Sequence, residues 1–372
     1  MAMVIPARNQ MASQFLELPK RTSSLMKIEK TATLVRITKN CNFSTQKNKF
    51  QAPTMVLQGH GGEIYTSQFS SDGSFLASAG YDQQIFLWNV FGECENFAVL
   101  KGHKGAIMEV KFNADSSHLV SAGTDKTVRV WDMETGSCIR NFKSHTDIVN
   151  SVDVNRRGPQ MICSASDDGT VMVHDMRSKE AAKKFICKYQ QTAVTFNDAA
   201  DNVICGGIDN QIKVWDMLRN DVRYVLSGHR DTITSLSVSH NGNFLLSNSM
   251  DCSLMSWDIR PFVPAQRLVA RYQGASHNFE KNLLKCGWSP RDNYITAGSA
   301  DRFVYVWNAK SRACVYKLPG HLGSVNCTAL HPTQQIREFF FDIFKMVKTM
   351  KLLEKYGKII SSNAVCRFTQ LV

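Results

Sequence analysis

Ten histidines stand in this chain of 372 residues, and several fall into register with residues that could do chemistry with them. His60 is followed by Ser78 and Asp82, His103 by Ser121 and Asp125, and His229 by Ser247 and Asp251. Histidine within reach of serine and aspartate is the constellation of nucleophilic catalysis, in which the imidazole takes the serine proton and the carboxylate orients the ring. Here the set is copied along the chain, and each copy ends on a tryptophan: Trp88, Trp131 and Trp257. A catalytic triad needs one singular site with an oxyanion hole, so a repeated set argues against catalysis. A buried imidazole and a buried indole N–H need partners, and Ser and Asp supply them. These twelve residues are read as structural, and no catalytic residue is expected.

Metal chemistry fares no better. Eleven cysteines run from Cys41 to Cys366 without one Cys-x-x-Cys pair. Zinc sites and disulfide frameworks both need closer, repeated spacings. Several lie in apolar runs such as Ile162-Cys163 and Ile204-Cys205, where cysteine acts as a small hydrophobe. No metal, cofactor or small-molecule substrate is expected, and a reducing compartment fits.

The elements that position these residues follow from the repeat. Trp-Asp or a relative recurs at Trp88-Asn89, Trp131-Asp132, His174-Asp175, Trp215-Asp216, Trp257-Asp258 and Trp307-Asn308, at intervals of 43, 43, 41, 42 and 50. Six residues before each stands an aspartate: Asp82, Asp125, Asp168, Asp209, Asp251 and Asp301. Within one unit, Ile64–Phe69 alternates, Ser71-Asp72-Gly73-Ser74 turns, Phe75–Ala79 runs apolar, Asp82 opens a tight turn, and Ile85–Trp88 and Phe97–Leu100 give two more strands. Some units depart from the pattern: His174 replaces Trp, the fourth has Lys188-Tyr189 and Cys205 for the usual His and Ser, and the sixth has Ala297. Those units are expected to lack full networks and to lean on packing.

Four short strands in each unit of 40-odd residues make the blade of a β-propeller, and the sequence here resembles the WD-repeat family over about residues 53–332. The expected fold is all-β, a seven-bladed propeller whose seventh blade is irregular or incomplete. After Gly320-His321, Ser324–Leu330 reads as an inner strand, but Thr349 stands where a Trp is due. Ile336, Phe340, Ile343, Val347 and Met350 follow helical spacing, which predicts a helix over about 334–358 with degenerate strands after it. Either an inserted helix interrupts the seventh blade, or a different tail, from splicing or a misread gene, takes the place of its later strands. Thr54–Gln58 is expected to close the ring as the outer strand of that blade.

Charge divides the chain the same way. Residues 1–52 carry nine Lys/Arg against two acids, 333–372 carry seven against three, and 53–332 carry 28 against 27. The division is therefore a basic, disordered arm (1–52), the propeller (53–332) and a divergent basic tail (333–372). The arm suits contact with RNA or acidic proteins, with a solubilising tail or a transit peptide as alternatives. No apolar run reaches the roughly 18 residues a membrane helix needs, and no secretory signal is expected, since Arg8 follows at once on the short start Met1–Ala7.

Propellers of this family are scaffolds that present loops to other proteins, so the resemblance implies a non-enzymatic assembly platform. Trp257-Asp258-Ile259-Arg260-Pro261-Phe262, His277-Asn278-Phe279-Glu280-Lys281-Asn282-Leu283-Leu284 and Ser299-Ala300-Asp301-Arg302-Phe303-Val304-Tyr305-Val306-Trp307 lie beside or beyond the generic motif. They resemble the family's branch within the U5 small nuclear ribonucleoprotein. That likeness implies a nuclear component of the spliceosome, docked on the particle's large central scaffold protein during pre-mRNA splicing, with RNA met indirectly or through the basic tails. Partner contacts are expected at Tyr81, Phe279, Glu280, Lys281 and Arg302 on one face, and at Arg260, Arg156 and Arg157 on the other. An alternative is a substrate receptor of a cullin-type ubiquitin ligase, since Trp257-Asp258-Ile259-Arg260 resembles the Trp-Asp-x-Arg adaptor motif.

Overall fold

Residues 54–91, 94–263, 266–332, 342–347 and 365–370 are described by a computed structural model, and strands, turns and loops make up all of them, with no helix among the described residues. In the first blade Ile64–Phe69, Phe75–Gly80, Gln84–Asn89 and Asn96–Lys101 pair antiparallel in chain order, from an inner to an outer strand. Five more sheets repeat this arrangement, at 107–142, 149–186, 191–227, 233–273 and 286–318. The chain is an all-β propeller, and the six complete blades coincide with the six repeats read from the sequence.

Local chemistry sets each blade. Asp72 accepts hydrogen bonds from the Ser70 and Ser74 hydroxyls and the Ser74 N–H, and so fixes the first turn. The residue after each turn aspartate sits in the left-handed region: Gln83, Lys126, Gly169, Asn210, Cys252 and Arg302, with φ between 60° and 73°. Glycine, which adopts this region without strain, fills one of the six. The pairing of the third and outer strands is bulged opposite the Trp or its substitute in all six blades, with the extra residue on the outer strand. Such a bulge bends the outer strand and increases the local twist.

The core lies between blades. Ala77, Ile85 and Leu100 of blade one pack with Ile107, Leu119 and Trp131 of blade two. Comparable clusters join each blade to the next. Each buried sheet face thus depends on its neighbour, and one isolated blade would leave both faces wet.

A seventh four-stranded sheet comes from distant parts of the chain. Its order is Val325–Leu330, Asp342–Val347, Val365–Gln370 and Thr54–Gln58. Thr54–Gln58 pairs antiparallel with Val365–Gln370, in the outer position expected of it. Asn326 donates to the Ile64 carbonyl at 2.9 Å, and the His331 ring lies 3.0 Å from the Gly73 carbonyl oxygen, joining this sheet to blade one. A Cβ on Gly73 would fall 2.2 Å from the His331 ring, so that close approach requires glycine.

The helix expected over 334–358 is corrected where it can be compared. Asp342–Val347 is a strand paired on both sides. A short apolar run reads as helix or strand by periodicity alone, and here the edge of Val325–Leu330 supplies hydrogen-bond partners that a helix would leave unpaired. The rest of that stretch, and the arm at 1–52, lie outside the described residues.

Candidate functional site

The histidine sets meet as hydrogen-bonded networks. In blade one His60 Nδ1 lies 2.6 Å from Asp82 and Nε2 lies 2.7 Å from Ser78 Oγ, which also accepts the Trp88 indole N–H at 2.8 Å. Blade two repeats this with His103, Ser121, Asp125 and Trp131 at 2.7–2.9 Å. Blade five does so with His229, Ser247, Asp251 and Trp257 at 2.6–3.1 Å. Burial opposes ionisation of Asp125 and Asp251, yet bonds from the imidazole, a backbone N–H and the turn hydroxyl outweigh it and hold both carboxyls well below their usual range. Each serine oxygen is already engaged by an imidazole and an indole inside the blade, so it is a poor nucleophile. Its task is to bind the top loop to the third strand.

The degenerate blades differ from expectation in an orderly way. Blade three keeps most of its network, with His145 bonded to Ser164 at 2.7 Å and to Asp168 at 3.0 Å. His174 sits where the indole should, 3.4 Å from Ser164, and burial lowers its pKa to about 4. In blade four Cys187 lies in the same buried cluster as Cys205, the substitute for serine, and Asp209 pairs with Lys213. In blade six Asp301 turns to Tyr305 at 2.6 Å and Lys317 at 3.2 Å instead of a histidine. Other polar partners therefore replace part of the network that packing alone was expected to cover.

The inner strands surround a channel, and an ion network crosses it. Glu109 of blade two meets Lys285 of blade six at 3.2 Å, with each side chain less than 10% exposed. Glu109 also accepts from Ser151 Oγ at 2.5 Å and the Val152 N–H at 3.1 Å. Lys111 bridges Glu109 and Asp153 at 4.0 Å, and Asp153 accepts from Thr195 Oγ1 and the Phe196 N–H in blade four. Burial pushes the Glu109 carboxyl up, but Lys285, Lys111 and the hydrogen bonds outweigh it and leave it lowered.

At the channel mouth is a cavity of about 520 Å³ lined by Tyr65, Tyr81, Met108, Lys281, Lys285 and Asn326, among others. Asn326 is 1% exposed, and its side-chain oxygen has no hydrogen-bond partner among the described residues. Burial and Glu63 raise the Tyr65 hydroxyl to about 12, so it is a neutral donor. The arrangement offers aromatic walls, two ammonium groups and a spare amide acceptor to an inserted side chain.

Of the residues expected to meet partners, the structure brings Tyr81 and Lys281 to this mouth. Phe279 is 89% exposed on the same loop as Lys281, and Glu280 accepts from Asn282 and Ser324. Arg302 is exposed on the blade-six turn. Arg260 stands apart at the other face, clasped to the carboxylate of Asp258. Arg156 is committed there too, donating to the Val238 and Ser239 carbonyls. Sequence reasoning missed Tyr65, Asn326 and the exposed Leu322. Their one signal was position on the inner strands and the loops that precede them.

A family model described as "WD domain, G-beta repeat" matches residues 51–89, 94–132, 136–175, 186–216, 220–258 and 270–308. A Mus musculus protein named "U5 small nuclear ribonucleoprotein 40 kDa protein" is 56% identical over 289 residues, covering 78% of this chain and 81% of the mouse protein. A Dictyostelium discoideum protein of the same name is 49% identical over 291 residues, 78% of this chain and 82% of that one. "Pre-mRNA-splicing factor cwf17" of Schizosaccharomyces pombe is 43% identical over 284 residues, 76% of this chain and 83% of its own.

Proposed function

The chain belongs to the WD-domain, G-beta repeat family, and on that premise we propose that it is a non-catalytic scaffold of the U5 small nuclear ribonucleoprotein, working in pre-mRNA splicing in the nucleus. The observation that carries this reading is identity of 43–56% over three quarters of the chain with relatives bearing those names. In this reading the seventh sheet is the seventh blade, and Thr54–Gln58 clasps the ring. The face around the channel mouth, with Tyr81, Phe279, Lys281 and Arg302, docks on the particle's large central scaffold protein. Exposed aromatic and arginine side chains around a preformed pocket make good anchors. The ubiquitin-ligase alternative gains nothing from the geometry, because Arg260 caps its own blade through Asp258.

Immunoprecipitation of the tagged full-length chain from nuclear extract at moderate salt tests this. U5 RNA together with the large scaffold protein is the expected recovery. Tyr81→Ala with Lys281→Glu should lose that protein while the chain stays folded. Recovery of a ligase adaptor without the RNA would overturn the assignment.

A further inference from the structure

Away from the channel, a second groove of about 340 Å³ opens on the top edge of blade two. It is lined by Lys104, Lys126, Arg129 and Lys143, with Asn141 and the first histidine of blade three. The one carboxylate in its wall, Asp125, already accepts the His103 ring, the Lys104 and Thr127 N–H groups and the Thr127 hydroxyl. Lys126 is also 3.9 Å from Asp147, so four cations face two carboxylates and the groove keeps a surplus of positive charge.

The repeats provide an internal control. Lys104 follows the network histidine, Lys126 follows the turn aspartate, Arg129 pairs with the network serine's position, and Lys143 comes directly after the outer strand. The same four places hold Gly61, Gln83, Phe86 and Lys101 in blade one, and Arg230, Cys252, Met255 and Gln273 in blade five. In blade three they hold Thr146, Gly169, Met172 and Ile186. Those blades have one cation, one and none, yet their network histidines are bonded in the same way. Blade two has four, so the fold does not require them.

Arg129 is the most telling. In the three other blades that bond a network histidine, Phe86, Met172 or Met255 stands at its place; blade four has Lys213, already paired with Asp209, and blade six has Tyr305. Here a guanidinium only 12% exposed reaches Thr127 Oγ1 at 3.5 Å and Asp125 at 3.8 Å, both long for a group with five donors. Lys126 is carried on the left-handed turn position and reaches over to the Thr146 carbonyl of blade three at 2.7 Å, fixing that wall of the groove.

We propose that this blade-two groove binds the phosphodiester backbone of RNA, giving the propeller body its own RNA contact separate from the basic arm. Three of the four cations are lysines, which act as point charges toward phosphates and carry no base preference. They arrive from three elements, the loop ahead of the inner strand, the turn and the end of the outer strand, so they suit successive phosphates more than one clasped dianion. The choice of RNA over a phosphorylated protein rests on the particle reading proposed above; the anion site itself does not.

The test uses the full chain and a fluorescein-labelled single-stranded oligoribonucleotide, with anisotropy titrations between 50 and 200 mM salt. The variant is Lys104→Ala, Lys126→Ala, Arg129→Met and Lys143→Ala together, the methionine copying blade five. Neutralising three to four phosphate contacts should weaken binding at least tenfold at low salt. It should also flatten the slope of log affinity against log salt by roughly 2 to 3, at about 0.7 for each phosphate. Circular dichroism and melting check that the variant folds. If it does not, acylation footprinting of the wild-type chain decides, with RNA protecting Lys104, Lys126 and Lys143. Unchanged affinity and slope, or lysines equally reactive with and without RNA, would overturn the proposal. Binding of a doubly phosphorylated serine peptide at the groove with no RNA protection would replace RNA by that ligand. Failure of the particle reading shows separately, as wild-type chain that recovers no U5 RNA from extract yet binds the oligoribonucleotide.

Discussion

The Glu109–Lys285 pair gives the sharpest test of how the ring is held. The two charges come from inner strands of blades two and six, 3.2 Å apart and almost dry. With Lys111 and Asp153 they form a balanced set of two cations and two anions. Glu109→Gln keeps an oxygen for Ser151 and Val152 but leaves Lys285 uncompensated. Breaking a buried pair from one side costs about 3–5 kcal/mol. Lys285→Met keeps the aliphatic stem and strands the carboxylate instead, at a similar cost. The double variant removes one charge of each sign and leaves Lys111 facing Asp153, so it should cost less than either single change. With single costs of about 3–5 kcal/mol and a double variant below either, the coupling expected is at least about 3 kcal/mol, the top of the range for residues in one network. Urea unfolding of the four proteins, followed by tryptophan fluorescence, gives this from midpoints at constant slope. Single costs under about 1 kcal/mol with additive behaviour would show the pair to be solvent-screened, and the argument for a locked channel would fail.

Ser121→Ala strips partners from the His103 ring and the Trp131 indole together; at about 1–3 kcal/mol for each buried orphan, calorimetry should find a loss of about 2–6 kcal/mol. His174 and His277, both lowered to about 4 by burial, stay neutral in the folded chain while the unfolded chain takes up protons below about 6.5. Stability is therefore full above that pH and should fall between pH 6.5 and 4, by about 3 kcal/mol for each histidine. His174→Trp, which restores the indole of the other blades, should remove its share of the slope, and an unchanged urea midpoint profile would count against this. Gln83→Gly relieves a left-handed side chain at an exposed turn and should stabilise by about 0.5–1 kcal/mol in the same assay; a loss would show that the glutamine side chain holds the turn.

The sequence alone determined the blade. Histidine, serine, aspartate and tryptophan of one network lie within about 30 residues of each other, and strand order within a sheet follows chain order. Contacts that are local and repeated leave a periodic trace, and so the networks and the strand-turn pattern were legible before any coordinates. Contacts between blades leave none. Glu109 and Lys285 occupy positions where the repeat is indifferent, and their pairing across the channel appears when the ring curves them together. Cys187 packing with Cys205 in blade four, and the cations gathered around Arg129, were likewise hidden among variable positions.

Ring closure is the clearest case. Helical spacing past Pro332 was a fair local reading, but the unpaired edge of Val325–Leu330 needs backbone partners, and Asp342–Val347 supplies them as a strand. Thr54–Gln58 then pairs with Val365–Gln370 from the far end of the chain. Side-chain pattern chose the blades. Backbone hydrogen bonding, which any sequence can offer, chose how the last sheet was completed, and that choice exists only once six blades have bent the chain back to its beginning.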